Sequence, residues 1–248
     1  MSNILEFDGT FEGFLTLVAF SYEIRVMPDR IITHADALTL FDEPLFIQTK
    51  EALATRVYHA MKQKFHPKHL RLIHLAWLYD EAPLYKELLT FIRRGFKEAS
   101  ELDDITQPSI KKVHDGANYT LKERHKMLGF IRFMKLDDSS FYAKITPKSN
   151  ILSLLGEHFK ERFNDPWIIH DTKRELALIH KDGTVQYHHV ASSELPLLHQ
   201  EEKHFQRLWQ KFFKQVTITE RTNLKLQRHF IPLFYRNVMT EFQSLDSE

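Results

Sequence analysis

Between Arg207 and Arg236 the chain carries seven Lys and Arg residues against one acid, Glu220, although its net charge is only +1. The segment contains the run TITERTNLKLQRHFIPLFYR, residues 217–236. On a helix beginning near Thr219, Arg221, Lys225 and Arg228 fall at i, i+4 and i+7 and share a face. Asn223 and Gln227 flank them. Cations in this arrangement match phosphates, and amide side chains add hydrogen bonds to bases or backbone. The same residue types are also the ordinary covering of a solvated helix.

Three further clusters carry chemistry. In TPKSN, residues 146–150, Thr146 suits an N-cap and Pro147 a first helical position. Lys148 and Asn150 would then stand at a helix start, where free N–H groups favour an anion such as phosphate. Capping alone also explains Thr and Pro there. In KERHKMLGFIRFMK, residues 122–135, Lys122, Arg124, Lys126, Arg132 and Lys135 surround one acid, Glu123. Read as a strand, this run alternates Arg132 with Ile131 and Phe133, so Arg132 points to one sheet face. An open face offers it to a phosphate, and a covered one requires a buried partner. Finally, His158 and Arg162 lie one helical turn apart, and Asp171 closes the strand WIIHD. A His–Asp pair suits acid–base work near neutral pH, with Arg162 and Lys148 holding phosphate. The structural alternative is a histidine bonded to backbone and an aspartate opening a turn. No nucleophile stands beside them.

Composition excludes several classes. There is no cysteine, so disulfides, thiolate-ligated zinc, iron–sulfur clusters and cysteine nucleophiles are ruled out for this chain. Glycine is scarce, at 7 residues, and no GxGxxG or GxxxxGK[ST] motif is present. Of the 15 histidines, His188 and His189 are adjacent and face opposite ways on a strand. His180 and His188 could meet across the KDG turn, but no carboxylate accompanies them, so no metal and no cofactor is expected. No signal peptide and no membrane span is read from the pattern, and the expected location is cytoplasmic.

The elements that must position these residues follow from periodicity. ILEFDGT reads as a strand with a turn, and residues 11–25 as a buried helix. RIITHA, residues 30–35, reads as a strand. Residues 49–96 give three helices, two of them opened by Pro67 and Pro83. Residues 101–108 read as an acidic linker, and Tyr119–Leu128 as a helix. The period then moves towards 2 in residues 129–136, 140–146, 167–171, 175–180 and 184–190, with a helix over 146–163. Helices over 196–214, 219–231 and 233–242 close the chain. The expectation is an α+β fold: an antiparallel sheet in ββαβββ order with a packed helix, a helical region before it and helices after it. The divisions are a strand–helix opening at 1–40, a helical region at 45–128, a sheet region at 129–192 and C-terminal helices at 196–243. Together they form one unit over residues 1–248.

GFIRF, FYAKITPKSNILSLLGEHFKERF, WIIHDTKRELALIHKDG, and ERTNLKLQ with the downstream Pro232 and Tyr235 resemble a bacterial family of DNA-metabolism proteins of unknown activity. FDGTFEGFL resembles that family's opening. The resemblance spans nearly the whole chain, with little from residues 45–110. It implies a role beside a DNA modification or repair radical S-adenosylmethionine (SAM) protein, and a link to uracil-DNA glycosylase-type proteins, to which some members are fused. The matching polar positions are Arg132, Lys148, Asn150, His158, Arg162, Asp171, Arg221, Asn223 and Gln227. The family offers no established catalytic residue to transfer. Two positions depart from its pattern: Leu224 stands where proline often follows the asparagine, and Leu233, Phe234 and Arg236 stand where basic and Trp residues often surround the final tyrosine.

Three readings result. The leading one is an accessory protein of DNA metabolism that binds nucleic acid and a radical SAM enzyme. Its interface would comprise Arg124, Arg132, Lys148, Asn150, Arg162, Arg221, Asn223, Gln227 and Arg228. The second is a hydrolase or lyase acting on damaged or modified nucleotides through His158 and Asp171. The third is a protein-interaction scaffold without DNA binding, its Phe-rich composition (20 residues) leaving an apolar patch for a partner.

Overall fold

Alternation and turn chemistry build two sheets, each beside its own helices. The structure, a computed structural model, describes residues 3–25, 27–39, 42–193, 196–218 and 221–243. It is a mixed α+β chain of two compact units, Met1–Leu121 and Lys122–Glu248.

In the first unit, β1 (Ile4–Phe7) pairs in parallel with β2 (Arg30–Thr33) and with the short β3 (Leu45–Phe46). Helix α1 (Phe11–Glu23) follows β1, and Thr10 caps it by accepting the Gly13 N–H at 2.9 Å. Asp8 accepts from the Thr10 amide and from the hydroxyls of Thr10 and Thr49, which ties this turn to the approach of α2 (Glu51–Lys64). Gly13 is required there, because a Cβ would stand 2.1 Å from the Asp8 carboxylate. Helices α3 (Pro67–Trp77) and α4 (Tyr85–Lys97) follow, and Phe7, Phe14, Trp77 and Tyr85 form an aromatic cluster. The expected linker at 101–108 contains part of a 3-10 turn, Ala99–Asp103.

The unit boundary falls within α5 (Pro108–Phe130), which is far longer than the expected Tyr119–Leu128. It overruns the first expected strand, leaving only β4 (Met134–Lys135). Burial decides this. Met127 and Ile131 are four residues apart, both buried in the core with Leu155 and Trp167, and the Ile131 amide bonds to the Met127 carbonyl. The β-propensity of Ile and Phe yields to that packing.

The second sheet has the order β4-β5-β6-β7-β8, with β5 (Phe141–Ile145), β6 (Trp167–Asp171), β7 (Leu176–Lys181) and β8 (Thr184–His189). It is mixed rather than antiparallel. β5 and β6 run parallel because their connection crosses over through α6 (Gly156–Arg162). The helix expected over 146–163 is thus confined to α6 and a preceding 3-10 turn, Leu152–Leu154. The reason is local. Arg174 bonds the carbonyls of Pro147 and Lys148, which a helix begun at Pro147 needs as acceptors for its own amides.

Across the last hairpin His180 pairs with Val185, and His188 with Ala177, so those two histidines do not meet. Residues 197–199 are drawn out beside β4 by the Leu136–Leu198 bridge, and α7 accordingly starts at Glu202 and runs to Val216. Asn223 caps α8 (Leu224–Phe230). The predicted start at Thr219 lies outside the described residues. The final expected helix is split into α9 (Leu233–Arg236) and a 3-10 turn, Thr240–Phe242.

The β7–β8 turn has φ of 50° at Asp182 and 72° at Gly183, the left-handed pair that suits a two-residue hairpin. Gly183→Ala should therefore lower the unfolding free energy by roughly 1–2 kcal/mol in urea titrations. An unchanged midpoint would contradict that backbone assignment.

Candidate nucleic-acid interface

The predicted residues divide into an internal group and an exposed group. Within the second unit, the centre of the internal group is Glu123, on α5 and 2% exposed. Its carboxylate accepts the Lys148 amide at 2.8 Å, the Ser149 amide at 2.7 Å and the Tyr235 hydroxyl at 2.6 Å. The expected anion cradle in TPKSN thus exists as backbone amides, but they lie outside any helix start and hold an internal carboxylate. Thr146 caps nothing, since its Oγ1 is buried without a hydrogen-bond partner. The same loop is held from its carbonyl side by Arg174, which also bonds Asp171 at 2.6 Å.

Asp171 is fully buried, and no hydrogen bond joins it to His158, which is half-buried on α6. Asp171 instead accepts from Arg174 and the Lys173 amide. Burial pushes its carboxyl above the ordinary value, and Arg174 offsets this in part. This geometry gives no acid–base dyad.

Arg132 lies between α5 and β4, not within a strand. It clamps Glu241 through Nε at 3.1 Å and a terminal nitrogen at 2.6 Å. The Glu241 side chain is 3% exposed and also accepts the Trp209 indole N–H at 3.2 Å. Burial would raise the Glu241 carboxyl, but the bond from Arg132, with lesser help from Trp209, holds it below its ordinary value. Arg124 donates Nε to the Leu154 carbonyl at 2.8 Å. Asn150 is half-buried in the loop.

The exposed group lies at the end of α6 and on the C-terminal elements. Arg162, Arg221 and Arg228 are exposed. Arg221 precedes the α8 cap, so only Lys225 and Arg228 share that helix, and the expected three-cation face is not formed. The Asn223 Oδ1 accepts the Leu226 amide at 2.9 Å, and Gln227 Oε1 accepts from Arg236 at 3.3 Å. Arg221, Asn223 and Gln227 do converge, around a groove of about 430 Å³ with Ile218, Leu226 and Phe230.

The expected site residues leave out a row of cations on α7, although Arg207, Lys211 and Lys214 belong to the basic segment read from the sequence. Lys203, Arg207, Lys211 and Lys214 stand at i, i+4, i+8 and i+11, all exposed, on one side of the helix. Their spacing was the available signal. A larger cavity, about 600 Å³, lies in the first unit among α1, α2 and α3. Glu12 and Glu51 line it, a charge that disfavours a polyanion. Also unforeseen was a buried pair, Tyr142 and His170, 2.9 Å apart at Nδ1, with His170 Nε2 donating to the Val190 carbonyl. Among the described residues no group of three or more His, Asp and Glu side chains is arranged to hold a metal, and no helix is long and apolar enough to cross a membrane.

Residues 84–241 match the family described as a domain of unknown function, DUF4130. The chain belongs to the DUF4130 family. No curated protein and no solved structure matches it. Glu123, Lys148, Asp171, Arg174, Tyr235, Arg132 and Glu241 all fall inside the DUF4130 span, as does the α7 row.

Because the folded Glu241 carboxyl is more acidic than the unfolded one, its contribution is present above the ordinary value of 4.5 and is lost as pH falls through the folded value. Glu241→Gln should be less stable than the parent at pH 7, and the gap should close below pH 4.5 in urea unfolding across a pH series. A gap independent of pH would contradict the Arg132–Glu241 assignment.

Proposed function

We propose that this protein is a nucleic-acid-binding accessory protein of DNA metabolism, acting with a radical SAM enzyme. The observation that carries the binding half is the α7 row, Lys203, Arg207, Lys211 and Lys214, exposed along a single helix side. Exposed cations continue after it with Arg221, Lys225 and Arg228. Phosphates along a strand recur at intervals that a row of this kind meets several times, and each contact releases a counterion. The net charge of +1 makes the field local, so affinity is modest and rests on this surface.

The interface proposed here therefore shifts from the full predicted set to its exposed members. Arg162, Arg221 and Arg228 remain, with Asn223 and Gln227 at the groove edge. Arg124 and Arg132 are bonded to the Leu154 carbonyl and to Glu241, and Lys148 and Asn150 are half-buried in the loop. The radical SAM partner, and a glycosylase-type protein as a further associate, rest on the resemblance in sequence. Without cysteine this chain supplies no thiolates, so a cluster would be ligated by the partner. The chain's role is then to hold or present the substrate strand. An enzymatic reading through His158 and Asp171 has no support from their separate bonding.

Fluorescence anisotropy with single- and double-stranded DNA tests this. Affinity should fall with salt, with a slope of about −0.7 to −0.9 per phosphate contacted. Arg207→Glu with Lys211→Glu should weaken binding at least about 10-fold and flatten that slope by about two contacts. Binding insensitive to both salt and these substitutions would overturn the proposal.

A further inference from the structure

Three helices of the first unit leave a cavity of about 600 Å³ between them. Phe11, Glu12 and Leu15 reach it from α1, and Leu70, Ile73 and His74 from α3. From α2 come Glu51, Ala54, Thr55 and Tyr58, at i, i+3, i+4 and i+7 on one helix face. The floor is apolar: Leu15, Ala54, Met61 and Ile73 line the cavity and are at most 3% exposed. Sites for small molecules run to about 300–1,000 Å³, with apolar walls and a few placed polar groups. This cavity has that size and that lining.

Its polar groups are uncommitted. Among the described residues, the side chains of Glu12, Glu51, Thr55, Tyr58 and His74 make no hydrogen bond or ion pair with the protein. Lys62 stands over the Tyr58 ring at 4.8 Å, but the lining itself contains no Lys or Arg among the described residues. Desolvation holds His74 below its ordinary value, so the imidazole adds no positive charge near pH 7. Both glutamates also serve their helices, since each sits in a first turn, where a carboxylate complements the dipole. The two helix ends together amount to about +1 elementary charge, against two full negative charges. The cavity therefore stays negative.

We propose that this cavity binds a small organic cation, an amine or alkylated ammonium group carried on an apolar body. A neutral apolar occupant would take water from the two carboxylates and return nothing, whereas a cation pairs with them. An anion would be repelled. The apolar body would rest on Leu15, Met61 and Ile73. Phe11 and Tyr58 add aromatic walls, and ring faces attract alkylated ammonium groups. The lining lies within residues 11–74, outside the DUF4130 span of 84–241. The site is also independent of the nucleic-acid reading, which rests on the second unit.

Dansylcadaverine, a primary amine on a fluorescent aromatic body, tests this when titrated into the whole chain. Its emission should shift to the blue and saturate with a Kd of about 100 µM or tighter. The N-acetyl derivative has the same body without the charge, and should bind at least about 10-fold more weakly. Glu12→Gln with Glu51→Gln should weaken the amine at least about 10-fold and leave the acetylated compound unchanged. Thr55→Trp, at an exposed position of the lining, should block both compounds by filling the cavity. Far-UV circular dichroism shows whether each variant folds. Should one fail, the parent's discrimination between the two compounds and the other variant still decide. A parent without saturable binding would overturn the proposal. Equal affinity for the two compounds would do the same, as would amine binding unchanged in either folded variant.

Discussion

A buried carboxylate sets the terms for the second unit. Glu123 is removed from water, and an acid in that position must find donors or cost several kcal/mol. It finds three: two successive amides of the 146–150 loop and the hydroxyl of Tyr235, 112 residues away. The loop can offer those amides because Arg174 holds its carbonyls, and Arg174 is in turn fixed to Asp171 at the end of β6. One connected set of bonds therefore joins α5, the loop, the sheet and α9. Such networks hold a fold in one arrangement when every member is satisfied.

That network sorts the charges of the chain. Arg174 and Arg132 serve the buried carboxylates of Asp171 and Glu241, while Glu123 is held by two backbone amides and a hydroxyl. Cations on α7 and α8 face solvent. Functional weight passes to the second set, whose members are regularly spaced and accessible. The internal set has its own consequence: a side chain locked in an ion pair is a poor ligand for a mobile phosphate, because the pair would have to open first.

Much of the architecture was legible. β6, β7 and β8 follow from alternation and the Asp-Gly turn, and α3 from its proline at the first helical position. What failed was set at long range. Nothing local in TPKSN says that Arg174 will take its carbonyls, so the capping pattern there misleads. Nothing in GFIRF says that Ile131 will finish a helix against Trp167 rather than open a strand. The partner of Arg132 is 109 residues away. For α7 the amphipathic period shows an apolar face, but period alone cannot tell which face is packed. The candidate site suffered most, because ion pairing and phosphate contact use the same side chains, and the sequence distinguishes them only through the location of remote acids.

The most direct test of the central claim is a double-mutant cycle on Glu123 and Tyr235, read as urea unfolding free energies for Glu123→Gln, Tyr235→Phe and the pair. A hydrogen bond to a buried charge predicts single losses of about 1.5–3 kcal/mol and a coupling of at least about 1 kcal/mol. Losses that simply add would mean the two groups do not share a bond, and the internal network could not be the organiser of this unit.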